Sequence, residues 1–159
     1  MSVRSSELDE IDRAIVRELQ NNARIQNKDL AEAVSLSPSS CLQRVRALQE
    51  RGVIRGYRAE IDPRALGRTL DAFIAVRFHG QSQRLVESFE RELMQLPEVL
   101  SLAHVTGDDD VLMQVSVRDV PRLRSFILQH LTSRREVAHI KTNLIFTQRR
   151  RTVVEMLPD

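Results

Sequence analysis

The 159-residue sequence contains a single cysteine, Cys41, so neither an intrachain disulfide nor a cysteine-based metal site is available to it. It also contains no apolar run approaching the roughly 20 residues that a membrane-spanning helix needs. The first ten residues, MSVRSSELDE, turn acidic at once and lack the apolar segment of a secretory signal. We therefore expect a cytoplasmic protein with no membrane partner. We expect Cys41 to be a small core residue rather than an exposed redox-sensing thiol.

A strong charge imbalance is absent as well, because the formal net charge is only +2. The distribution of charge is more informative than its sum. Residues 37–68 contain seven arginines and three acidic residues, which gives this stretch a net charge of +4. From residue 69 onward, twelve basic residues match twelve acidic ones. The positive excess therefore lies in one stretch, as an electrostatic contact with nucleic-acid phosphates requires.

The stretch from residue 35 to 57 carries the signals of one well-delimited helix. Ser37 suits the N-cap position, where its hydroxyl accepts a bond from a free backbone N–H group. Pro38 suits the first helical position, since its missing donor costs nothing there. Gly52 suits the position just past the C-terminal end, where a positive φ is needed. The sequence therefore predicts a helix that begins at Pro38 and ends just before Gly52.

This helix has two distinct faces. Apolar side chains at i, i+4 and i+7 mark a buried stripe: Cys41, Val45 and Leu48. Roughly opposite this stripe lie small, amide-bearing or guanidinium-bearing side chains: Ser39, Gln43, Arg46 and Ala47. The pattern predicts a DNA-recognition helix.

The start of a recognition helix reaches deepest into the major groove, so its first side chains are the predicted base-edge contacts: Ser39, Ser40 and Gln43. Arginines on and after the helix are predicted to position the protein on phosphates: Arg44, Arg46, Arg51, Arg55 and Arg58. Arg44 lies only about 60° from the centre of the buried stripe. For this residue the alternative is that it merely flanks the core.

Two shorter helices are predicted before the recognition helix. The first begins near Leu8 and ends at Asn21-Asn22. Its inward residues are Leu8, Ile11, Ile15 and Leu19, and its outward residues are Asp12, Arg13 and Arg17. The second covers residues 28–34 with Asn27 as its cap, and residues 35–37 form a tight turn. Residues 1–57 thus read as a helix-turn-helix domain, with a loose arm at 1–7 and a wing strand at 53–57.

The pattern loosens at 58–68, which we interpret as a linker because it contains Asp62-Pro63 and Gly67. From residue 69 to 159 strands and helices alternate. The predicted strands are 71–78, 99–106, 111–117 and 137–148, and the predicted helices are 83–96 and 120–131. The fold class is therefore α+β: a winged helix-turn-helix domain followed by a ferredoxin-like βαββαβ domain. Such a sheet has one face without helices, which predicts a homodimer that presents two recognition helices about one DNA turn (~34 Å) or a multiple apart.

Three stretches resemble the Lrp/AsnC family of bacterial and archaeal transcription factors. They are LDEIDRAIVRELQNNARIQNKDLAEAV at 8–34, LSPSSCLQRVRALQERGVIRGY at 36–57, and VTGDDDVLM at 105–113. The order of elements is similar from residue 8 to about residue 148. The resemblance implies that the N-terminal half binds a double-stranded DNA operator and that the C-terminal half forms dimers associating into tetramers or octamers. It also implies an effector, usually an amino acid, bound between dimers near the Gly107 turn: Thr106, Gly107, Asp108, Asp109 and Asp110.

The Gly107 turn departs from the family pattern, in which the second and fourth residues after the glycine are aromatic. Asp109 and Val111 occupy these positions, whereas Gly107 and Asp110 match. The loss of two aromatic walls predicts a larger and more acidic pocket. We therefore expect an effector that is not a simple leucine-like amino acid and that is cationic. The alternative is that the three aspartates form a solvated acidic hairpin turn.

Two other classes of function are weaker interpretations of the sequence. Siroheme decarboxylases resemble this family, and four histidines are available for gripping a tetrapyrrole: His79, His104, His130 and His139. None pairs at the helical spacing of ligands, and no catalytic triad, phosphate loop or carboxylate pair is present. We therefore expect neither an enzyme nor a cofactor or metal. A winged-helix module used only for protein contacts is disfavoured by the arginine-rich helix.

Overall fold

The computed structural model describes residues 8–80 and 83–157, which divide into two compact units. The first unit contains the described residues up to 60 together with those from 149 onward. The second contains residues 61–148. The tail from residue 149 thus groups with the first unit, although we predicted it to be part of the second domain, at 69–159. The predicted arm at 1–7 lies outside the described residues, among which no helix is long and apolar enough to cross a bilayer.

Three helices make up most of the first unit: α1 (Glu10–Asn21), α2 (Asn27–Ala33) and α3 (Pro38–Glu50). Asp9 caps α1 by accepting a bond from the amide of Asp12. The predicted cap of α2 is wrong, because Asn27 is already helical and Gln26 precedes it without a side-chain cap. The side-chain amide of Asn27 instead donates through Nδ2 to the carbonyl of Pro38, 2.8 Å away, and so connects α2 to the start of α3.

The turn between α2 and α3 is built by hydrogen bonds that cap the end of α2. The amide of Ser35 donates to Glu32 O and that of Leu36 donates to Ala31 O, at 3.1 and 2.8 Å. This pair of bonds is a Schellman motif, in which the residue after the cap takes a left-handed conformation. Ser35 occupies that position with φ = 56°. The motif directs the chain into Ser37, the cap of α3.

A second Schellman motif ends α3. Gly52, with φ = 71°, donates to Gln49 O, and Val53 donates to Leu48 O, both at 2.9 Å. Ile54 also donates to Leu48 O, at 3.1 Å. These amides are used to cap the helix and do not enter a ladder, so the predicted wing strand at 53–57 is wrong. The core of this unit consists of Ile15, Leu30, Ala31, Val34, Cys41 and Leu48.

The second unit is a four-stranded sheet with two helices. Its strands are β1 (Leu70–Phe78), β2 (Val99–His104), β3 (Val111–Val117) and β4 (Val137–Leu144). Its helices are α4 (Gln83–Leu93) and α5 (Val120–Ile127), and a π-helical turn at Leu128–Thr132 follows α5. Neighbouring strands are antiparallel in the order β2-β3-β1-β4. This confirms the predicted α+β class and ferredoxin-like arrangement.

Several elements end earlier than predicted. β2 stops at His104 because Val105 donates to Asp110 O and closes the hairpin. β4 stops at Leu144, which pairs with Ala72, although Ile145 still donates to Asp71 O. The predicted helix at 120–131 changes to a π-helical turn after Ile127.

Both helices pack on the same face of the sheet. Alternate residues of β1 and β3, such as Ile74 and Met113, join α4 and α5 in one core. The remaining side chains of these strands lie on the opposite face. We call this the open face and define it by Asp71, Phe73 and Ala75 on β1 and by Leu112, Gln114 and Ser116 on β3.

Candidate DNA-contacting helix and effector turn

The start of α3 is organised by three serine hydroxyls. Ser37 Oγ accepts a bond from the Ser40 amide, 3.2 Å away, and so caps the helix. It also lies 3.0 Å from Ser39 Oγ and 2.9 Å from Ser40 Oγ. The predicted base-edge contacts Ser39, Ser40 and Gln43 are all exposed. The structure therefore brings these three polar side chains together on the first turns of the helix.

Two predicted phosphate contacts on α3, Arg44 and Arg51, form ion pairs with α1. Arg44 Nη1 lies 2.6 Å from Asp9 Oδ2 and 2.9 Å from Asp12 Oδ1. Arg51 Nη1 lies 3.3 Å from Asp12 Oδ2. The Asp12 amide and then the Arg44 guanidinium lower the pKa of Asp9. We call these four residues the α1–α3 lock.

Asp12 is the residue of this lock whose environment differs from the prediction. It was predicted to face outward, but only 6% of it is exposed. The burial is possible because two guanidinium groups bond its two oxygens. A signal was available in the sequence: Asp12 lies about 60° from Ile15 around the helix, on the flank of the apolar stripe.

The remaining predicted phosphate contacts are not engaged in this way. Arg46, Arg55 and Arg58 are exposed, and none of them forms an ion pair within the described part of the chain. Arg46 lies on the same helix face as Gln43. Arg55 and Arg58 follow the glycine that ends α3. These guanidinium groups are therefore available for contacts outside the protein.

The Gly107 turn is fastened to the end of β1. Gly107 has φ = 130°, a conformation that side-chain-bearing residues rarely adopt. The Asp110 carboxylate is buried, and its Oδ2 accepts a bond from the amide of Phe78 at 2.7 Å. The Asp110 amide donates to Val76 O at 2.9 Å. Asp110 therefore holds the hairpin in place, a role that the family pattern at this position did not reveal.

The other predicted effector residues are more accessible. Thr106 and Asp108 are exposed, and Asp109 is half-buried. The carbonyl of Asp108 accepts a bond from Arg77 Nε. The three consecutive aspartates thus differ in environment, and in the described part of the chain no group of three or more acidic, histidine or cysteine residues is arranged for a metal ion.

Two family descriptions match the chain. Residues 8–55 match a winged helix-turn-helix DNA-binding domain. Residues 71–154, more than half of the sequence, match the Lrp/AsnC ligand-binding domain. The chain belongs to the Lrp/AsnC family.

Individual Lrp/AsnC proteins are similar over nearly the whole chain. The transcriptional regulator AldR of Mycolicibacterium smegmatis is 42% identical over 91% of this chain and 84% of its own length. The leucine-responsive regulatory protein of Rhizobium meliloti is 40% identical over 89% and 91%. A crystal structure of a Neisseria meningitidis regulator in complex with L-Met has a TM-score of 0.84 and 33% identity, covering 91% of this chain and 94% of that one.

The protein is therefore an Lrp/AsnC-type transcriptional regulator with a helix-turn-helix DNA-binding domain and a ligand-binding domain. The relatives are named as regulators, so the enzyme alternative is not supported.

Proposed function

We propose that the protein recognises its operator through the exposed face of α3. Ser39, Ser40 and Gln43 contact base edges, and Arg46 and Arg55 contact phosphates. Arg44 and Arg51 were predicted as phosphate contacts, and we now propose that they act indirectly by fixing α3 against α1. The observation that carries this proposal is the contrast between exposed polar side chains on one face and paired arginines on another.

Salt dependence of DNA binding tests the phosphate contacts. Removing one phosphate contact lowers the slope of log affinity against log salt by about 0.9. We expect Arg46→Ala/Arg55→Ala to reduce the slope, whereas the matched variant Arg84→Ala/Arg91→Ala, with exposed changes on α4, keeps it. Equal slopes for the two variants would argue against the assigned contacts.

We propose that a small-molecule effector, an amino acid or related metabolite, binds near the Gly107 turn at a contact between dimers. The support is the match to a ligand-binding domain and the L-Met complex of the Neisseria relative. Asp108 and Asp109 supply negative charge at this turn, and the aromatic walls typical of the family are missing. We therefore propose a cationic effector.

A thermal-shift panel of lysine, arginine and polyamines against leucine and methionine tests the effector. Preferential stabilisation by a cationic ligand is expected. Preference for leucine or methionine would contradict the charge assignment, and no shift with any ligand would favour the solvated acidic turn instead.

We propose that the open face pairs with a second copy and that dimers associate further. Phe73 and Leu112 are apolar side chains on the open face, opposite the face on which α4 and α5 pack. Sedimentation analysis tests this, because Leu112→Lys should shift the protein towards monomers.

A further inference from the structure

A side chain of the DNA-binding unit, that of Gln20, bonds the backbone of the C-terminal tail. The Gln20 amide on α1 bonds both backbone groups of Val154. Gln20 Nε2 donates to Val154 O at 3.1 Å, and Val154 N donates to Gln20 Oε1 at 2.7 Å. This pair mimics the bonding of two adjacent strands, since one amide satisfies a donor and an acceptor together. We call this pair of bonds the Gln20 clamp.

The clamp lies beside a groove of about 720 Å³ in the same unit. The groove is formed by α1, by the segment after α3 from Val53 to Arg58, and by Val154. Arg55 and Arg58 line it together with apolar side chains such as Leu19. The clamp therefore brings the tail next to the basic segment that follows the recognition helix.

Three consecutive arginines precede the clamp. Arg149, Arg150 and Arg151 are all exposed, and the only acidic residue in the described part of the tail is Glu155. Arg151 is three residues from Val154, a span of at most about 11 Å of extended chain. The backbone of Arg151 is therefore held within this distance of Val154, which lines the groove. Three exposed guanidinium groups in sequence form a local positive charge, and a nucleic-acid backbone is the polyanion that this unit binds.

We propose that residues 149–157 form a basic arm of the DNA-binding unit, held by the Gln20 clamp, and that Arg149, Arg150 and Arg151 contact DNA phosphates. This rests on the proposed function of α3 but adds a second contact surface that is remote in sequence. The arm contributes affinity and salt dependence. It carries no sequence information, because phosphate contacts are the same for every base pair.

The test measures affinity for a fluorescein-labelled duplex of mixed sequence over a series of salt concentrations. Arg149→Ala/Arg150→Ala/Arg151→Ala should lower the salt slope by about 0.9 for each arginine that binds a phosphate, hence by up to about 2.7 per chain. The matched control Arg84→Ala/Arg91→Ala/Arg124→Ala removes the same charge from exposed positions on α4 and α5 and should keep the slope. If both triple variants change the slope equally, the arm is a general charge effect and the proposal fails.

Gln20→Ala tests the clamp separately, because it removes both bonds of the clamp and keeps all three arginines. We expect an affinity between those of the wild type and the arm variant. Wild-type affinity for Gln20→Ala would refute the positioning role of the clamp. Arg46→Ala, which changes α3 alone, separates the two proposals: if it weakens binding while the arm variant does not, the arm is wrong and the recognition helix stands. If neither weakens binding, the proposed function of α3 fails as well.

Discussion

The α1–α3 lock makes the most quantitative prediction, through the substitution Asp12→Asn. This change keeps the shape of the side chain but removes the charge that pairs with Arg44 and Arg51. The side chain of Asp12 is 9% exposed, whereas those of its partners are 35% and 42% exposed. The arginines are therefore able to turn to water, and no charge is left buried by the substitution.

The loss in unfolding free energy caused by Asp12→Asn should lie between the values typical of exposed and of fully buried ion pairs. Exposed ion pairs contribute about 0.2–1 kcal/mol, and breaking a fully buried pair costs about 3–5 kcal/mol. For a buried acid with two half-exposed partners we expect the free energy of unfolding to fall by about 1–2 kcal/mol. In a domain of this size, each kcal/mol lowers the melting temperature by about 4–8 °C.

Hydrogen exchange of the α1 and α3 amides during a urea titration assigns the destabilisation to the first unit. Arg46→Ala is the matched control, since Arg46 is exposed and forms no ion pair in the described part of the chain. Its effect should stay within about 0.5 kcal/mol. If Asp12→Asn is as mild as Arg46→Ala, the lock does not stabilise this unit and the reasoning is refuted.

Three further predictions concern acid stability and the Gly107 turn. Folding lowers the pKa of Asp9 from 3.8, so its carboxylate stabilises the folded state above that pH, and this stabilisation is lost as the pH falls through the folded-state pKa. Arg44→Ala should weaken this dependence of the unfolding free energy on acid pH, as measured by urea titrations at a series of pH values. Asp110→Ala leaves the buried Phe78 amide without its acceptor, so unfolding should become easier by about 1–3 kcal/mol, while Asp109→Asn should alter effector preference alone; equal destabilisation by both would refute the distinction. A Cβ added at Gly107 would have no atom within 4 Å, so any destabilisation by Gly107→Ala reflects backbone strain. We expect a loss of about 1–3 kcal/mol, measured by thermal melting. An unchanged melting temperature would show that the turn relaxes.

The recognition helix was predictable because its limits are local. Ser37, Pro38 and Gly52 each act on backbone groups within a few residues, and the structure places all three as predicted. The order of strands and helices in the second unit was predictable for the same reason, since alternation and turn residues mark each element.

The predictions are wrong where contacts between residues distant in sequence determine the local structure or the burial of a side chain. The predicted wing strand at 53–57 does not form, because the amides of Val53 and Ile54 donate to Leu48 O. Asp12 appeared to be an outward charge because its partners, Arg44 and Arg51, are 32 and 39 residues away. The Gln20 clamp joins residues 134 positions apart, and nothing in the local pattern of either indicates the other.

The ends of the helices and strands also differ in whether local or distant residues determine them. α3 ends where a glycine dictates it, whereas β2 ends at His104, opposite the first residue of its partner β3. Sequence reasoning therefore located the candidate DNA-contacting residues but did not separate the arginines that hold the helix from those exposed for binding. That distinction depends on which acidic residues of α1 lie within reach.

The central claim is that the exposed face of α3 reads DNA sequence, and affinity selection from a random duplex pool tests it most directly. The wild type should enrich a motif with two half-sites about one DNA turn (~34 Å) or a multiple apart. Gln43→Ala should relax the base preference at defined positions of each half-site, reducing discrimination by about 1–3 kcal/mol, while Arg46→Ala weakens binding to all sequences alike. An enriched motif that is identical for the wild type and Gln43→Ala, or no enriched motif for the wild type, would contradict the claim.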